Sequence, residues 1–236
     1  MTTLAPRPAA TTRTRRDRWI PASLIALTAV PALAGAARLV DLSSGRTAEN
    51  ARFFDLPAPI IVHIIGATTF CVLGAFQFQP SLRRRRPTWH RMAGRVLVPA
   101  GIAAGLSGMW MAVFSDLPVH DNAALVWLRL FFGSLMVVGL VLGVRAVLGG
   151  DIRTHQRWMA RAYAVAQGAG TQALVLGPIT IVAGQPGGNL KAAGMGFAWV
   201  LNLVVAEWLV RRSAASTDAP VGGACPDRSK TFVQPH

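Results

Sequence analysis

Two short segments combine imidazole and guanidinium groups, the side chains in this sequence that are best suited to chemistry. They are His90-Arg91-Met92-Ala93-Gly94-Arg95 and His155-Gln156-Arg157-Trp158-Met159-Ala160-Arg161. Each contains an Arg-xxx-Arg step, which puts two guanidinium groups on one face of a helix. Guanidinium forks bind carboxylate or phosphate, and two imidazoles can ligate iron. The spacing therefore predicts a pocket for an anion or a cofactor, with six candidate residues: His90, Arg91, Arg95, His155, Arg157 and Arg161.

The elements that must position these segments are apolar. Hydrophobic residues make up 52% of the 236 residues and charged residues 14%, and the charges are concentrated between the apolar stretches. A soluble domain does not have this composition. A helix needs about 20 residues to cross the hydrocarbon, and six stretches come close to that length or exceed it: residues 19–40, 57–79, 94–115, 124–147, 159–184 and 191–210. The sequence predicts an all-α, polytopic transmembrane helix bundle.

Arginines mark alternate connections between these spans. They occur in residues 1–18, 83–95, 145–161 and 211–212, whereas residues 41–56, 116–123 and 185–190 hold only Arg46 and Arg52. Because arginine-rich connections stay in the cytoplasm, both termini are predicted to be cytoplasmic. Residues 1–18 and 213–236 are polar and lack apolar periodicity, so we expect a disordered arm and a disordered tail around a transmembrane domain at 19–212.

The net charge of +14 has two interpretations. In a soluble protein it would suggest binding to nucleic acid. Beside membrane spans, arginines instead set the orientation and attract anionic headgroups. We therefore expect the lipid bilayer as partner, with anionic lipid at the cytoplasmic face, and no nucleic acid.

The first apolar stretch also has two interpretations. The stretch has three features that are typical of a cleavable signal peptide: a basic start, the apolar core Leu24-Ile25-Ala26-Leu27 and the small residues Ala34-Gly35-Ala36. The stretch is nevertheless longer than the usual core of such a peptide, about 7 to 15 residues. Its length favours a retained transmembrane span.

Two ionisable residues lie deep in predicted spans near the outer side, His63 in the second span and Arg129 in the fourth. Such groups are costly in lipid unless a partner faces them, so both are candidate functional residues. The outer connections supply further polar side chains for a cluster, namely Asp55, Asp116, His120 and Asp121. A metal site of His63, His120 and an aspartate is an alternative, but nothing in the sequence fixes the ligand spacing between the separate loops.

Other residues have structural interpretations. Glu207 is the only acid inside a predicted span, and we expect it to pair with Arg161 or Arg145. No Ser/His/Asp order, P-loop or dinucleotide fingerprint occurs, so hydrolase or nucleotide chemistry has no support. Small residues four apart predict close helix packing in three spans: Gly101 with Gly105, Gly139 with Gly143, and Ala166 with Gly170.

A family resemblance follows from several of these motifs together. The sequence resembles the bacterial predicted membrane proteins of domain of unknown function 2306. The motifs that carry this resemblance are the run from His63 to Gln77, the arginines 83–86 with Pro87, the His90 segment and His155-xx-Trp158-Met159-xx-Arg161. The similar region covers residues 55 to 210 and implies a protein of the bacterial inner membrane without a settled activity. A looser similarity to cytochrome b561-type proteins implies a b-type haem held by histidines.

Distance along the membrane normal limits which histidines can share a haem iron. His63 and His90 should lie about 25 Å apart at about 1.5 Å per helical residue, so they cannot both bind it. The remaining pairs are His90 with His155 and His63 with His120. Two functions are thus predicted: binding of a small anion or lipid at the cytoplasmic lip, or electron transfer through a haem held by His90 and His155.

Overall fold

The computed structural model describes residues 15–47, 50–54, 56–116, 118 and 121–217. The regular structure in these ranges is helical: α1 Arg15–Ser43, α2 Ala51–Phe54, α3 Ala58–Gln77, α4 Pro80–Arg85, α5 Pro87–Phe114, α6 Ala123–Leu148, α7 Ile152–Ala166, α8 Gly168–Ala183 and α9 Gly188–Thr217. Six stretches are long and apolar enough to cross a membrane, and α7 with α8 forms one of them. The predicted all-α bundle of six spans is confirmed.

Helix boundaries differ from the prediction where arginines lie at a span's start. The third and fifth spans begin at Pro87 and Ile152, about two turns before the apolar windows at 94 and 159. Proline suits the first turn of a helix, and the Asp151 carboxylate caps the fifth span by accepting the Thr154 N–H. Both His/Arg segments therefore lie inside helices, in or near their first two turns.

The two terminal segments are described only in part. Helix α1 begins at Arg15 and α9 continues to Thr217, so both helices extend into segments predicted to be disordered. The rest of the predicted arm and tail, residues 1–14 and 218–236, lies outside the described residues.

The fifth span contacts most of the bundle. Helix α7 packs against α3, α6 and α9, while α8 packs against α1 and α9. The remaining spans follow one another around it, with α1 beside α3, α3 beside α5 and α5 beside α6. Side chains placed by α7 and α8 are therefore positioned relative to spans one, two, four and six.

Glycines allow the close approach that the small-residue steps predict. A Cβ atom on Gly105 would lie 2.7 Å from Val137 of α6, and one on Gly143 would lie 2.5 Å from Met159 of α7. On Gly170 it would strike the backbone carbonyl of Leu27 in α1. The predicted close-packing faces of the third, fourth and fifth spans are confirmed, because no larger side chain fits at these three positions without a shift.

The fifth span is interrupted at Gln167, between the end of α7 and the start of α8. The Gln167 side chain is 4% exposed, and its Nε2 donates to Tyr163 Oη at 2.7 Å and to Thr28 Oγ1 at 3.2 Å. The Tyr163 hydroxyl donates to the Cys71 carbonyl at 2.6 Å. The break is slight, because Gln167 keeps αR backbone angles and its N–H donates to the Tyr163 carbonyl at 3.0 Å. At membrane depth, backbone groups that such a break frees must find partners within the protein. The side chains at this interruption therefore form hydrogen bonds to spans one and two. The sequence alone did not predict the interruption.

The sixth span contributes an amide to the same region. Asn202 Nδ2 donates to the Ala164 carbonyl at 3.2 Å, and the Thr171 hydroxyl donates to Asn202 Oδ1 at 2.9 Å. One side chain of α9 thus binds both α7 and α8. Thr28, the partner of Gln167, belongs to α1, so cleavage after the first span would remove a buried hydrogen-bond partner. The retained first span stays our prediction.

Candidate functional site

The arginine-rich segments gather at one end of the bundle, which we call the basic end. It comprises α4, the first turns of α5 and α7, and the last turns of α6 and α9. His155 lies in the first turn of α7, and its Nδ1 is 2.9 Å from the Gly143 carbonyl of α6. A carbonyl oxygen only accepts, so Nδ1 carries the proton and Nε2 of the neutral ring keeps its lone pair. No hydrogen bond of Nε2 occurs within the part of the chain that the structure describes, so this nitrogen can accept one from a ligand.

His90 reaches the same end from the other His/Arg segment. It lies in the first turn of α5 and is half-buried. Its neighbour Trp89 packs edge-on against Phe76 of α3, with ring centroids 6.4 Å apart. His90 and His155 thus both lie in the first turn of a helix at the basic end, although they are distant in sequence.

Arg161 is already paired within the protein. Its Nε and Nη2 donate to Glu207 Oε2 at 3.1 and 2.8 Å, and its guanidinium lies 5.0 Å from the Trp158 ring centroid. Arg211 donates to the other oxygen of Glu207 at 3.0 Å. The predicted pairing of Glu207 with Arg161 is confirmed. Of the six candidate residues, Arg161 is therefore the one that forms an ion pair within the described part of the chain.

Three other arginines of the basic end are exposed and outside any ion pair within the described ranges: Arg91, Arg95 and Arg157. Within the described ranges, the acidic residues at this end are Asp151 and Glu207. The arginines at this end outnumber them and are Arg83, Arg84, Arg85, Arg86, Arg91, Arg95, Arg145, Arg153, Arg157, Arg161, Arg211 and Arg212. A surplus of positive charge therefore faces outward, beside two imidazoles.

His63, the remaining candidate, lies apart from the other histidines. It is a residue of α3, and its Nδ1 is 2.9 Å from the Ala104 carbonyl of α5. Gly108 makes room for the ring, because a Cβ atom there would lie 3.1 Å from His63 Cε1. His63 thus joins two spans through a backbone partner that no sequence spacing reveals. Two of the partners predicted for it, at positions 55 and 120, lie outside the described residues. Within the described residues, no group of three or more potential metal ligands occurs.

A second charged cluster lies at the end of the bundle opposite the basic end. Asp121 accepts from Arg129 Nη2 at 2.8 Å and from Lys191 Nζ at 2.5 Å. Asn122 Nδ2 donates to Asn189 Oδ1 at 2.8 Å beside it. Of the polar cluster expected around His63 and Arg129, the structure shows the contact between Arg129 and Asp121. Lys191, which the sequence analysis missed, could have been noticed as one of only two lysines in the chain, at the start of a span.

The carboxylate of this cluster is buried, whereas its two cations are partly exposed to the surroundings. The Asp121 side chain has no exposed area, whereas Arg129 and Lys191 are 28% and 23% exposed. Burial opposes ionisation of Asp121, but hydrogen bonds from Lys191 and Arg129 outweigh it and hold the pKa of this carboxyl below its usual range. The Asp121 carboxylate therefore stays charged at neutral pH.

Neutralising Asp121 should destabilise the fold in a pH-dependent way. Asp121→Asn leaves two cations together without a carboxylate, and we expect a loss of about 1–3 kcal/mol in the free energy of unfolding at pH 7. Because the folded pKa is lowered, this contribution is present above the unfolded pKa of about 3.9 and lost as the pH falls through the folded pKa. The measurement is unfolding in mixed micelles at pH 7 and at pH 3.

The matched control is Asp41→Asn, which removes the more exposed Arg38–Asp41 pair. Exposed pairs contribute about 1 kcal/mol or less. Equal losses for the two variants, or a loss for Asp121→Asn that does not shrink at pH 3, would contradict the assignment.

Comparison with known proteins places the chain in a family. Residues 60–210, well over half of the chain, match the family of predicted membrane proteins designated DUF2306. No curated protein and no solved structure gives a significant match. The match extends from α3 into α9 and contains both His/Arg segments. The chain belongs to this family, as its motifs predicted, while the looser similarity to cytochrome b561 stays a prediction.

Proposed function

We propose that this member of the DUF2306 family binds a small anionic ligand, or the headgroup of an anionic lipid, at its basic end. The observation that supports it best is that three of the candidate arginines, Arg91, Arg95 and Arg157, are exposed and lie outside any ion pair among the described residues. Guanidinium groups make short, charge-assisted hydrogen bonds to phosphate and carboxylate. An anion at this position would balance charge that the described acids of the basic end leave unbalanced.

The two helices that begin at the basic end add to its positive potential. The N-terminus of a helix carries a partial positive charge and unpaired N–H groups, and α5 and α7 both start there. His155 has its Nδ1 bonded to the Gly143 carbonyl, so its Nε2 is the atom available to accept a hydrogen bond from a ligand hydroxyl. Carboxylate and phosphate groups both fit this set of donors.

The same arginines support an orientation and a location. Arginine-rich connections remain in the cytoplasm, so the basic end would face the cytoplasm with both termini on that side. The inner leaflet of a bacterial inner membrane contains anionic lipid, which juxtamembrane arginines attract by about 1 kcal/mol each. In this proposal the ligand approaches from the cytoplasm or from the cytoplasmic leaflet.

Replacing the free arginines should weaken anion binding. For Arg95→Gln/Arg157→Gln we expect at least about tenfold lower affinity, because each charge-assisted hydrogen bond contributes about 1.5–3 kcal/mol. The protein would be titrated calorimetrically in nanodiscs of zwitterionic lipid, once with inorganic phosphate and once with a short-chain phosphatidylglycerol. Binding of phosphate indicates a soluble anion, and binding of only the lipid indicates a headgroup.

Arg145→Gln is the matched control, since it removes an exposed positive charge of the basic end outside the two His/Arg segments. It should leave both affinities close to wild type. Unchanged affinities in Arg95→Gln/Arg157→Gln would contradict the proposal. Arg161 is left intact in this design because its replacement would break the ion pair with Glu207.

A second candidate is a b-type haem held by His90 and His155. One observation favours it: the Nδ1 of His155 is bonded to a backbone carbonyl, which is how proteins orient histidines that ligate metals through Nε2. Membranes from haem-replete cells would be reduced with dithionite and scanned. A Soret band that is present in wild type and lost in His155→Ala would support haem ligation, and no band in wild type would contradict it.

A further inference from the structure

Arg129 of α6 faces the interior of the bundle. Trp127 and Phe131 mark the face of α6 that is turned to the surrounding hydrocarbon, because their side chains are 71% and 62% exposed. At about 3.6 residues per turn, Arg129 lies on the opposite face, in line with the buried side chains of Leu125 and Phe132. Arg129 therefore projects away from the lipid and toward the other helices.

Lys191 of α9 also lies on a buried helix face. Phe197 belongs to the exposed face of α9, whereas the next residue, Ala198, has no exposed area. Lys191 lies two turns before Ala198 and shares its face. Lys191 and Arg129 both donate to the buried carboxylate of Asp121. The charged cluster thus lies between the helices, on the inner sides of α6 and α9.

Open space lies beside these two cations. Arg129 and Lys191 are 28% and 23% exposed, although the Asp121 carboxylate between them has no exposed area. An inward-facing side chain keeps exposed area only where a gap lies next to it. The fifth span is consistent with such a gap: α7 packs against α3 and α6, but beyond Gln167 the chain continues as α8, which packs against α1 and α9.

Gln172 of α8 supplies a third inward-facing group. Its Nε2 is buried and has no hydrogen-bond partner among the described residues. Leu174 and Ile181 mark the exposed face of α8, and helical periodicity puts Gln172 on the opposite face. A buried donor without an acceptor is destabilising unless a ligand or water accepts from it. The Gln172 amide is therefore a candidate ligand-binding group.

Trp199 of α9 shows that Gln172 and Arg129 lie at one depth. Its ring stacks on Phe132 of α6, with centroids 4.7 Å apart, and its indole packs so closely on Gly168 of α8 that a Cβ atom there would clash. Arg129 is three residues before Phe132, and Gln172 is four residues after Gly168. Because α6 runs toward the basic end and α8 away from it, both residues lie about one turn from Trp199 in the same direction.

We propose that the gap between α6, α8 and α9 binds a small monovalent anion through Arg129, Lys191 and the Gln172 amide. All three groups are hydrogen-bond donors. The two cations share the single carboxylate of Asp121, which leaves one positive charge in surplus within the cluster. Such a surplus is costly inside a membrane bundle, and an anion of one charge neutralises it. This site is separate from the one at the basic end, and either can exist without the other.

Quenching of Trp199 fluorescence by iodide tests the proposal. The protein would be titrated with iodide in nanodiscs of zwitterionic lipid, with gluconate, a bulkier anion, keeping the ionic strength constant. The Trp199 signal is the difference between wild type and Trp199→Phe, a change that keeps an aromatic ring against Phe132. We expect quenching that saturates and that chloride reverses, because the bound ion would lie about one helical turn from the indole.

Variants of the three donors identify the groups responsible. Lys191→Gln removes the surplus charge and should lower the iodide affinity at least about tenfold, whereas Lys191→Arg should keep it. Gln172→Leu should lower the affinity about fivefold through the loss of one hydrogen bond. It should not lower the unfolding temperature without iodide, because the amide has no partner among the described residues.

Quenching that rises linearly with iodide in wild type, as for collisions in solution, would overturn the proposal. A saturating curve that is the same in Lys191→Gln would also overturn it. Arg95→Gln/Arg157→Gln, at the basic end, should leave the curve unchanged. The readout is local to Trp199, so its outcome does not depend on whether the basic end binds an anion.

Discussion

The hydrogen bonds around Gln167 are the interactions on which the rest of this structure depends. Within lipid, a helix can be interrupted only where neighbouring protein groups bind the polar atoms of the interruption. Gln167 donates to Thr28 of α1 and to Tyr163, and the Tyr163 hydroxyl binds a carbonyl of α3. Asn202 of α9 binds a carbonyl of α7 and a hydroxyl of α8. Four spans therefore meet at this one interruption.

Both charged ends of the protein are positioned from this centre. Helix α7 leads to the basic end, where its close packing on Gly143 brings His155 to a carbonyl of α6. Helix α8 leads the other way, to Gly184 with a φ of 78°, a conformation that glycine adopts most readily, and then to α9 with Lys191. The fifth span thus connects the basic end to the cluster in which Asp121 is buried and Arg129 and Lys191 are partly exposed.

Much of the fold could be predicted from the sequence because its causes are local. Apolar length indicated the six spans, and glycine steps such as Gly139 with Gly143 indicated where helices approach closely. Glu207 could be paired with Arg161 because an acid within a span requires a partner. The predicted starts of the third and fifth spans were too late, because arginines lower the mean hydropathy of the first helical turns. The helices in fact begin where Pro87 and Asp151 favour a helix start.

The missed features depend on contacts between distant segments. His63 binds a backbone carbonyl of α5, and a carbonyl has no sequence signature. Lys191 meets Asp121 across the bundle, so no spacing within one segment relates them. The interruption at Gln167 is stabilised by Thr28, which lies far away in sequence. Tertiary hydrogen bonds of this kind can be seen only in the folded chain.

A double-mutant cycle between Thr28 and Gln167 tests the central role of this interruption most directly. Unfolding free energies would be measured in mixed micelles for wild type, Thr28→Val, Gln167→Leu and the double variant. If the two side chains bind each other, the loss in the double variant should be smaller than the sum of the single losses by about 0.5–1.5 kcal/mol. Losses that add to within about 0.3 kcal/mol would contradict the account.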